Sequence, residues 1–305
     1  MTKGKITAFV VLAGIVIVGM TWRVRSKPAA PPPRRNFDPL ATLSGKELDK
    51  LIAGRPSTKN MILIPYGEFI MGSDDGDQDE RPVRKVILDA YYIDRTEVTN
   101  AQYKKFIEAT GHRAPKASLA VHLPFEWQDR SFPSGRANHP VVLVSWEDAL
   151  AYALWAGKRL PTEAEWEKAA RGNEARKYPW GDRWSRRRCN SSESALFTTT
   201  PVGNFPEGVS PFGGLDMAGN VLEWCLDVYQ RSYHHPIGLN PQGPEAGVAC
   251  VLRGGSWADK DVRCANRFQA TPPHRLPTIG FRCALSAPEH SARAASNASR
   301  GGLDK

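Results

Sequence analysis

A chain of 305 residues is long enough to bury one sizeable core, and its 26 glycines and 24 prolines predict many turns and short elements. The formal net charge of +9 is partly an end effect, because the first 35 residues contain seven lysines and arginines and no acidic residue, and no helical pattern carries a clustered basic face. This composition argues against a bundle of long helices and against a nucleic-acid partner.

The N-terminal sequence has the pattern of a membrane anchor. Residues 1–5 form a short basic N-terminus, and residues 6–22 are uncharged and apolar apart from two threonines. A run of this length is just enough to cross a bilayer as a helix. A cleaved signal peptide is the alternative, but no small-residue cleavage site follows the apolar run. We predict a single-pass anchor with an extracytoplasmic, periplasmic domain, although a count of the flanking basic residues favours the opposite orientation.

A linker and a tail flank the remaining sequence. Residues 23–57 contain a proline-rich, basic stretch that we expect to act as an extended tether, with a short helix candidate near Ser44. Residues 287–305 are small, polar and charged, which predicts a disordered tail. The folded domain is therefore expected to span residues 58–286.

Three helices are marked by capping-box patterns, in which a Ser or Thr is followed three residues later by Gln, Asp or Glu. They start at Thr99, Ser145 and Thr162, and they run to Gly111, Gly157 and Gly172. In the third helix we expect Trp166 to anchor the core, and Glu163 and Glu167 to lie on a solvated face.

The strand candidates are residues 61–64, 68–71, 83–93, 251–253 and 281–285, and residues 173–250 are expected to form one long loop region.

Seven motifs follow one another along the domain. They are IPYGEFIMGS at 64–73, YIDRTEVTN at 92–100, HPVV at 139–142 with VSW at 144–146, GKRLPTEAEWE at 157–167, YPWGD at 178–182, MAGNVLEW at 217–224, and RGGSW at 253–257 with CANR at 264–267 and GFRC at 280–283. Together they resemble the formylglycine-generating enzyme, or sulfatase-modifying factor, family. The resemblance implies an α+β, C-type-lectin-like fold with little regular secondary structure.

The copper chemistry of that family depends on two thiols that this chain lacks. In the oxygen-dependent enzymes a Cys-x4-Cys pair follows the RGGSW-like motif and binds copper(I). The corresponding interval here, residues 257–263, contains no cysteine. Copper is therefore not expected, copper-dependent oxidase activity is disfavoured, and no catalytic residue is assigned.

Calcium is the cofactor that the resemblance favours. The family's calcium positions fall on Asp216, Gly219, Val221 and Glu223, with the two carboxylates and two backbone carbonyls as ligands. The alternative is a surface Asp and a Glu paired with an arginine. A second calcium site of the family would fall on Asn190 and Ser191, together with Ser194 and Leu196. This site is expected to be weak or lost, because Ser194 replaces an acidic ligand. The acidic run at 74–80 is interpreted as a solvated loop.

The five cysteines are Cys189, Cys225, Cys250, Cys264 and Cys283. Burial as thiols is the expected state for all of them. Cys264 and Cys283 match cysteines that form structural disulfides in the family, but the usual partner positions are Ala153 and Ala170 in this chain. A Cys264–Cys283 disulfide is therefore an open alternative.

The resemblance also places polar residues in a substrate groove. Asn220, Ser256 and Arg267 match groove positions, and the alternative is a structural role in bracing irregular backbone.

Two functions remain open: an anchored accessory or binding module for a protein, peptide or glycan, or an oxidoreductase that modifies a protein cysteine or assists the maturation of a metalloenzyme. The missing thiol pair favours the first.

Overall fold

The computed structural model describes residues 57–116, 124–232 and 238–288, all of which belong to one compact unit, Asn36–Lys305. The anchor at 6–22, nearly all of the linker and nearly all of the tail lie outside these ranges, so their predictions stay untested. Within the described ranges, no helix combines the length and the apolarity that crossing a bilayer requires.

Nine short strands form three sheets in the described ranges. One sheet has the antiparallel order β1 (Met61–Ile64), β4 (Tyr91–Asp94) and β9 (Ala284–Ser286), and a second pairs β2 (Gly67–Met71) with β3 (Arg84–Leu88). The third has the order β7 (Arg267–Ala270), β6 (Cys250–Arg253), β5 (Leu222–Val228) and β8 (Ile279–Gly280), with β5 and β8 parallel. Together with three helices, these sheets confirm the α+β class.

Three predictions about strands and loops need correction. Of the strand predicted at 281–285, only Ala284 and Leu285 are extended, in β9. Residues 83–93 form the separate strands β3 and β4 rather than one strand, because the chain leaves the two-stranded sheet after β3 and enters the three-stranded sheet at β4. The segment 173–250 is not all loop, since it contains β5, the longest strand in the described ranges. β5 lies between β6 and β8, and five of its seven residues are buried, so side chains on both faces of the strand are covered. That burial removes the period of two by which a half-exposed strand is recognised.

The three helices begin where their capping boxes predict. They are α1 (Asn100–Thr110), α2 (Trp146–Trp155) and α3 (Glu163–Arg171), capped by the side chains of Thr99, Ser145 and Thr162. Gly111 ends α1 in the left-handed conformation, with φ 77°. These signals are local, which is why the sequence predicts them well.

Helix α3 is buried along its whole length, which contradicts the solvated face predicted for Glu163 and Glu167. Glu167 accepts hydrogen bonds from Arg171 and from the backbone amide of Gly72, both at 2.7 Å, and pairs with Arg253. Glu163 is held by Arg267 through two hydrogen bonds. Burial is tolerated because each carboxylate meets at least one guanidinium.

Lys168 is the buried cation of the same helix. Its Nζ donates to the backbone carbonyls of Pro65 and Gly67 at 2.8 and 2.9 Å. Burial lowers its pKa to about 8. Lys168 thereby ties α3 to the turn between β1 and β2.

Two large apolar clusters form the core. One joins α1 and α2 to β5 and β8, and the other packs α3 against β2, β3 and β4 around Trp166. Cys283 belongs to the first cluster and Cys264 to the second, and all five cysteines are buried free thiols. Cys264 and Cys283 are thus separate thiols in this structure, which does not contain the alternative disulfide between them.

Candidate functional site

Asn220 lies at a tight turn whose backbone adopts the left-handed conformation. Gly219 and Asn220 have φ values of 78° and 62°. The Asn220 amide donates to Glu97 Oε1 at 2.9 Å, and its carbonyl oxygen accepts the backbone N–H of Thr200 at 2.9 Å. Asn190 donates to the same oxygen at 3.3 Å. Because these bonds occupy both ends of the amide, Asn220 braces three chain segments.

Ser256 is buried and closes the next turn. Its Oγ donates to Asp259 Oδ2 at 2.5 Å, and its backbone N–H donates to the same oxygen at 2.9 Å. The backbone N–H of Trp257 donates to the carbonyl of Asn220 at 3.0 Å. The structure therefore brings Ser256 and Asn220 together through Trp257, and both side chains are engaged internally.

An aromatic surface lies over these two turns. We call Phe125, Arg136 and Trp257 the aromatic face. The rings of Phe125 and Trp257 stack with centroids 6.1 Å apart and planes 9° apart, and the Arg136 guanidinium lies 5.1 Å from the Phe125 ring. Arg136 also donates to the hydroxyl of Thr198, and the neighbouring Phe197 is 73% exposed. Apart from Trp257, which lies in the RGGSW motif, no motif of the sequence analysis predicts this face.

Arg267 occupies a different environment. Its Nε and Nη2 bind the Glu163 carboxylate at 2.6 and 2.9 Å, and its Nη1 donates to the carbonyls of Asp79 and Gln230. The guanidinium also lies 4.9 Å from the ring of Tyr229. These contacts favour the structural interpretation of Arg267, and its groove role stays a prediction.

Three buried carboxylates surround the predicted calcium loop: Glu97, Asp216 and Glu223. Glu223 is committed to protein partners, because its two oxygens accept from Arg282 at 2.6 and 2.7 Å and from Trp166 Nε1 at 2.8 Å. Asp216 Oδ2 accepts the backbone N–H of Gly203 at 2.5 Å. Glu97 Oε2 is buried and has no hydrogen-bond partner among the described residues.

The charge balance of this cluster is unfavourable as it stands. Burial raises the pKa of Glu97 well above its ordinary value, and the charge of Asp216 raises it further. Burial likewise raises the pKa of Asp216, against the lowering effect of the Gly203 amide and Arg282. A proton or a hard cation at Asp216 and Glu97 would offset the excess charge. Glu223 instead matches the alternative of a glutamate paired with an arginine.

The second calcium positions are also engaged within the protein. The Asn190 amide donates to the carbonyl of Thr198 at 2.8 Å, and its side-chain oxygen accepts from Ser194 Oγ at 3.0 Å. The Ser191 hydroxyl accepts the backbone N–H of Glu193 at 3.3 Å, and Leu196 is exposed. In the described ranges, no group of three or more His, Cys, Asp or Glu side chains is arranged to hold a metal ion. A calcium site here would depend on backbone carbonyls as well.

All five thiols are buried, and their acidity is suppressed. Burial raises the pKa of Cys189, Cys250 and Cys264 to about 12. It also raises the pKa of Cys225 and Cys283 well above the ordinary value. Since the thiolate is the form that attacks substrates and binds soft metals, these cysteines are in environments that oppose both roles.

The sequence and the fold match known proteins. Residues 49–287 match the model of the sulfatase-modifying factor enzyme 1-like domain. The formylglycine-generating enzyme of Streptomyces coelicolor is 40% identical over an alignment of 303 positions that covers 80% of this chain and 95% of that protein. The serine/threonine-protein kinase pkn1 of Chlamydia pneumoniae is 43% identical over 244 positions, which cover 75% of this chain and 38% of that protein.

Among solved structures, PvdO from Pseudomonas aeruginosa aligns with a TM-score of 0.64 and 30% sequence identity, covering 74% of this chain and 94% of that chain. The family model covers most of the described residues, and the Streptomyces protein is matched over nearly its whole length. The chain therefore belongs to the sulfatase-modifying factor family.

Proposed function

We propose that this chain is a non-oxidase member of the family, an accessory or binding module that recognises a protein, peptide or glycan. The observation that carries the proposal is the state of the thiols. No cysteine occurs in residues 257–263, and each of the five cysteines is a buried free thiol whose pKa is raised. Copper(I) binding needs converging thiolates, which this arrangement does not offer.

A peptide assay tests the missing oxidase activity. We expect no aldehyde product when the purified chain is treated with copper and incubated in air with a Cys-x-Pro-x-Arg peptide. Mass spectrometry of the peptide is the measurement, and the Streptomyces coelicolor formylglycine-generating enzyme is the positive control. A copper-dependent aldehyde product would favour the oxidoreductase alternative instead.

The aromatic face is the surface that we propose for partner recognition. It combines two stacked rings with a guanidinium, and such amphipathic groups are enriched in protein interfaces. Asn220 and Ser256 hold the backbone beneath it. A partner that co-purifies with the wild-type chain should be lost from Trp257→Ala and retained by Tyr66→Ala, which removes an exposed ring elsewhere. Equal retention by both variants would argue against this face.

Calcium is proposed as a structural cofactor at Asp216, with Gly219 and Val221 supplying carbonyl oxygens and Glu97 as a further carboxylate. The excess of buried negative charge supports this. Ligand binding stabilises the native state by ~2.7 kcal/mol at a hundredfold excess over Kd, so the chain should melt at higher temperature in calcium than in chelator. Asp216→Asn should abolish this shift, whereas Asp75→Asn, at an exposed acid, should preserve it.

Two results would count against calcium. The first is equal melting of the wild type in calcium and in chelator. The second is a calcium shift that survives in Asp216→Asn.

Membrane anchoring through residues 6–22, with an extracytoplasmic domain, is proposed on the sequence pattern alone. Replacing Val11 and Ile15 with Arg should release the chain from membranes, because a charge at a helix centre costs ~2.5–3.5 kcal/mol on insertion scales. Protease added to intact spheroplasts should degrade the wild-type domain. Protection of the domain until the membrane is permeabilised would reverse the proposed orientation.

A further inference from the structure

A surface cavity of about 310 Å³ lies apart from the residues of the aromatic face and of the calcium loop. It is lined by Trp180, Asp182, Arg183, Trp184, Ser185 and Arg188. A volume of this size is at the lower limit of small-molecule sites, which begin at ~300 Å³. The cavity is therefore large enough for one ring-sized group.

Aromatic rings with fixed orientations form one wall. The rings of Tyr178 and Trp180 stack with centroids 5.3 Å apart and planes 6° apart, and the Trp184 ring lies 5.3 Å from Tyr178. Trp180 Nε1 donates to the carbonyl of Arg183, and Trp184 Nε1 donates to Glu193 Oε2, both at 2.9 Å. Because the polar edge of each indole is already bonded, the half-buried ring faces are the parts left to contact a ligand.

Arg183 and Arg188 line the cavity, and Arg186 and Arg187 lie between them in the sequence. Arg183, Arg186 and Arg187 are exposed, and none of their guanidinium groups makes an ion pair or hydrogen bond with another described residue. Arg188 Nε lies 3.8 Å from Glu207 Oε2, which is a weak pairing at an exposed site. Guanidinium groups without partners are suited to bind a carboxylate through two parallel hydrogen bonds.

Acidic residues also lie beside the cavity. Asp182 lines it, Glu193 binds the lining Trp184, and Glu207 pairs with the lining Arg188. Of the two lining arginines, Arg183 has no ion-pair partner among the described residues, so the cavity is suited to hold one ligand carboxylate. Asp182 binds the backbone N–H of Lys177 through Oδ1, and its Oδ2 has no partner among the described residues. Oδ2 and the Ser185 hydroxyl are therefore free to bind ligand hydroxyl groups.

We propose that this cavity binds a sugar ring that carries a carboxylate, as part of an acidic oligosaccharide. The apolar face of the ring packs on the indole wall, Arg183 and Arg188 bind the carboxylate, and Asp182 and Ser185 bind hydroxyls. The site is separate from the aromatic face, so the proposal does not depend on the function proposed for that face.

Binding of defined oligosaccharides to the full-length chain in detergent tests the proposal. The probes are oligogalacturonate and hyaluronan oligosaccharides, with maltooligosaccharides as neutral controls and calorimetry as the measurement. We expect one or both acidic probes to bind, and Arg183→Gln and Arg188→Gln each to weaken that binding about tenfold, as for a lost charge-assisted hydrogen bond. Arg231→Gln removes an equally exposed arginine elsewhere and should leave binding unchanged.

Four results would overturn the proposal: no binding of either acidic probe, equal binding of the neutral probe, equal affinity in Arg183→Gln and Arg231→Gln, or tighter Arg183-dependent binding of a single-stranded oligonucleotide or of anionic vesicles. Thermal melting of each variant shows whether it is folded. Because all three substitutions are at surface guanidinium groups, each variant should melt like the wild type.

Discussion

Replacing Glu167 with Gln should lower the free energy of unfolding by about 3–5 kcal/mol, the usual cost of breaking a buried ion pair from one side. The Glu167 side chain is fully buried and contacts Arg171, Arg253 and the amide of Gly72. Glutamine keeps the shape but removes the charge, which leaves two buried guanidinium groups without their shared carboxylate. Denaturant-induced unfolding measures the loss as a lower midpoint.

Glu68→Gln is the matched control for this prediction. Glu68 lies 2.9 Å from Lys85, and both side chains are about half exposed or more. Exposed pairs contribute ~0–1 kcal/mol, so this variant should unfold close to the wild type. Similar losses in the two variants would mean that the pairs around Glu167 are screened by water and do not stabilise α3.

Replacing Gly219 with Ala should destabilise the domain by about 2–5 kcal/mol. Gly219 has φ 78°, a conformation that costs an alanine ~1–2 kcal/mol. An added Cβ would also lie 2.2 Å from the carbonyl oxygen of Asn190. That oxygen accepts the backbone N–H of Asn220 at 2.7 Å and cannot move away without breaking this bond, so overpacking adds ~1–3 kcal/mol.

Gly111→Ala separates the two contributions to this loss. Gly111 has nearly the same φ, 77°, and a Cβ there would meet nothing within 4 Å. The decrease in the free energy of unfolding of Gly111→Ala should therefore reflect backbone strain alone. The decrease for Gly219→Ala should be larger in the same unfolding experiment. Equal losses would show that the contact with Asn190 relaxes at little cost.

The candidate site was only partly predictable from the sequence. The motifs identify the family and place Asn220 and Ser256 at adjoining turns, which the structure brings together through Trp257. They do not distinguish a groove residue from a brace, because that depends on partners such as Glu97, which lies 123 positions before Asn220 in the chain. The same limit applies to Arg267, whose partner Glu163 is 104 positions away.

The sequence by itself determined the helix starts, the α+β class and the family, because capping signals act within three residues and the family motifs are contiguous. Only the tertiary structure decided that Glu163 and Glu167 are buried, that β5 is a strand and that Cys264 and Cys283 stay apart as free thiols. Burial and pairing of this kind are set by segments that are distant in sequence and packed together only in the fold. Contacts between distant segments leave no periodic pattern in the sequence, so burial and pairing could not be predicted from it.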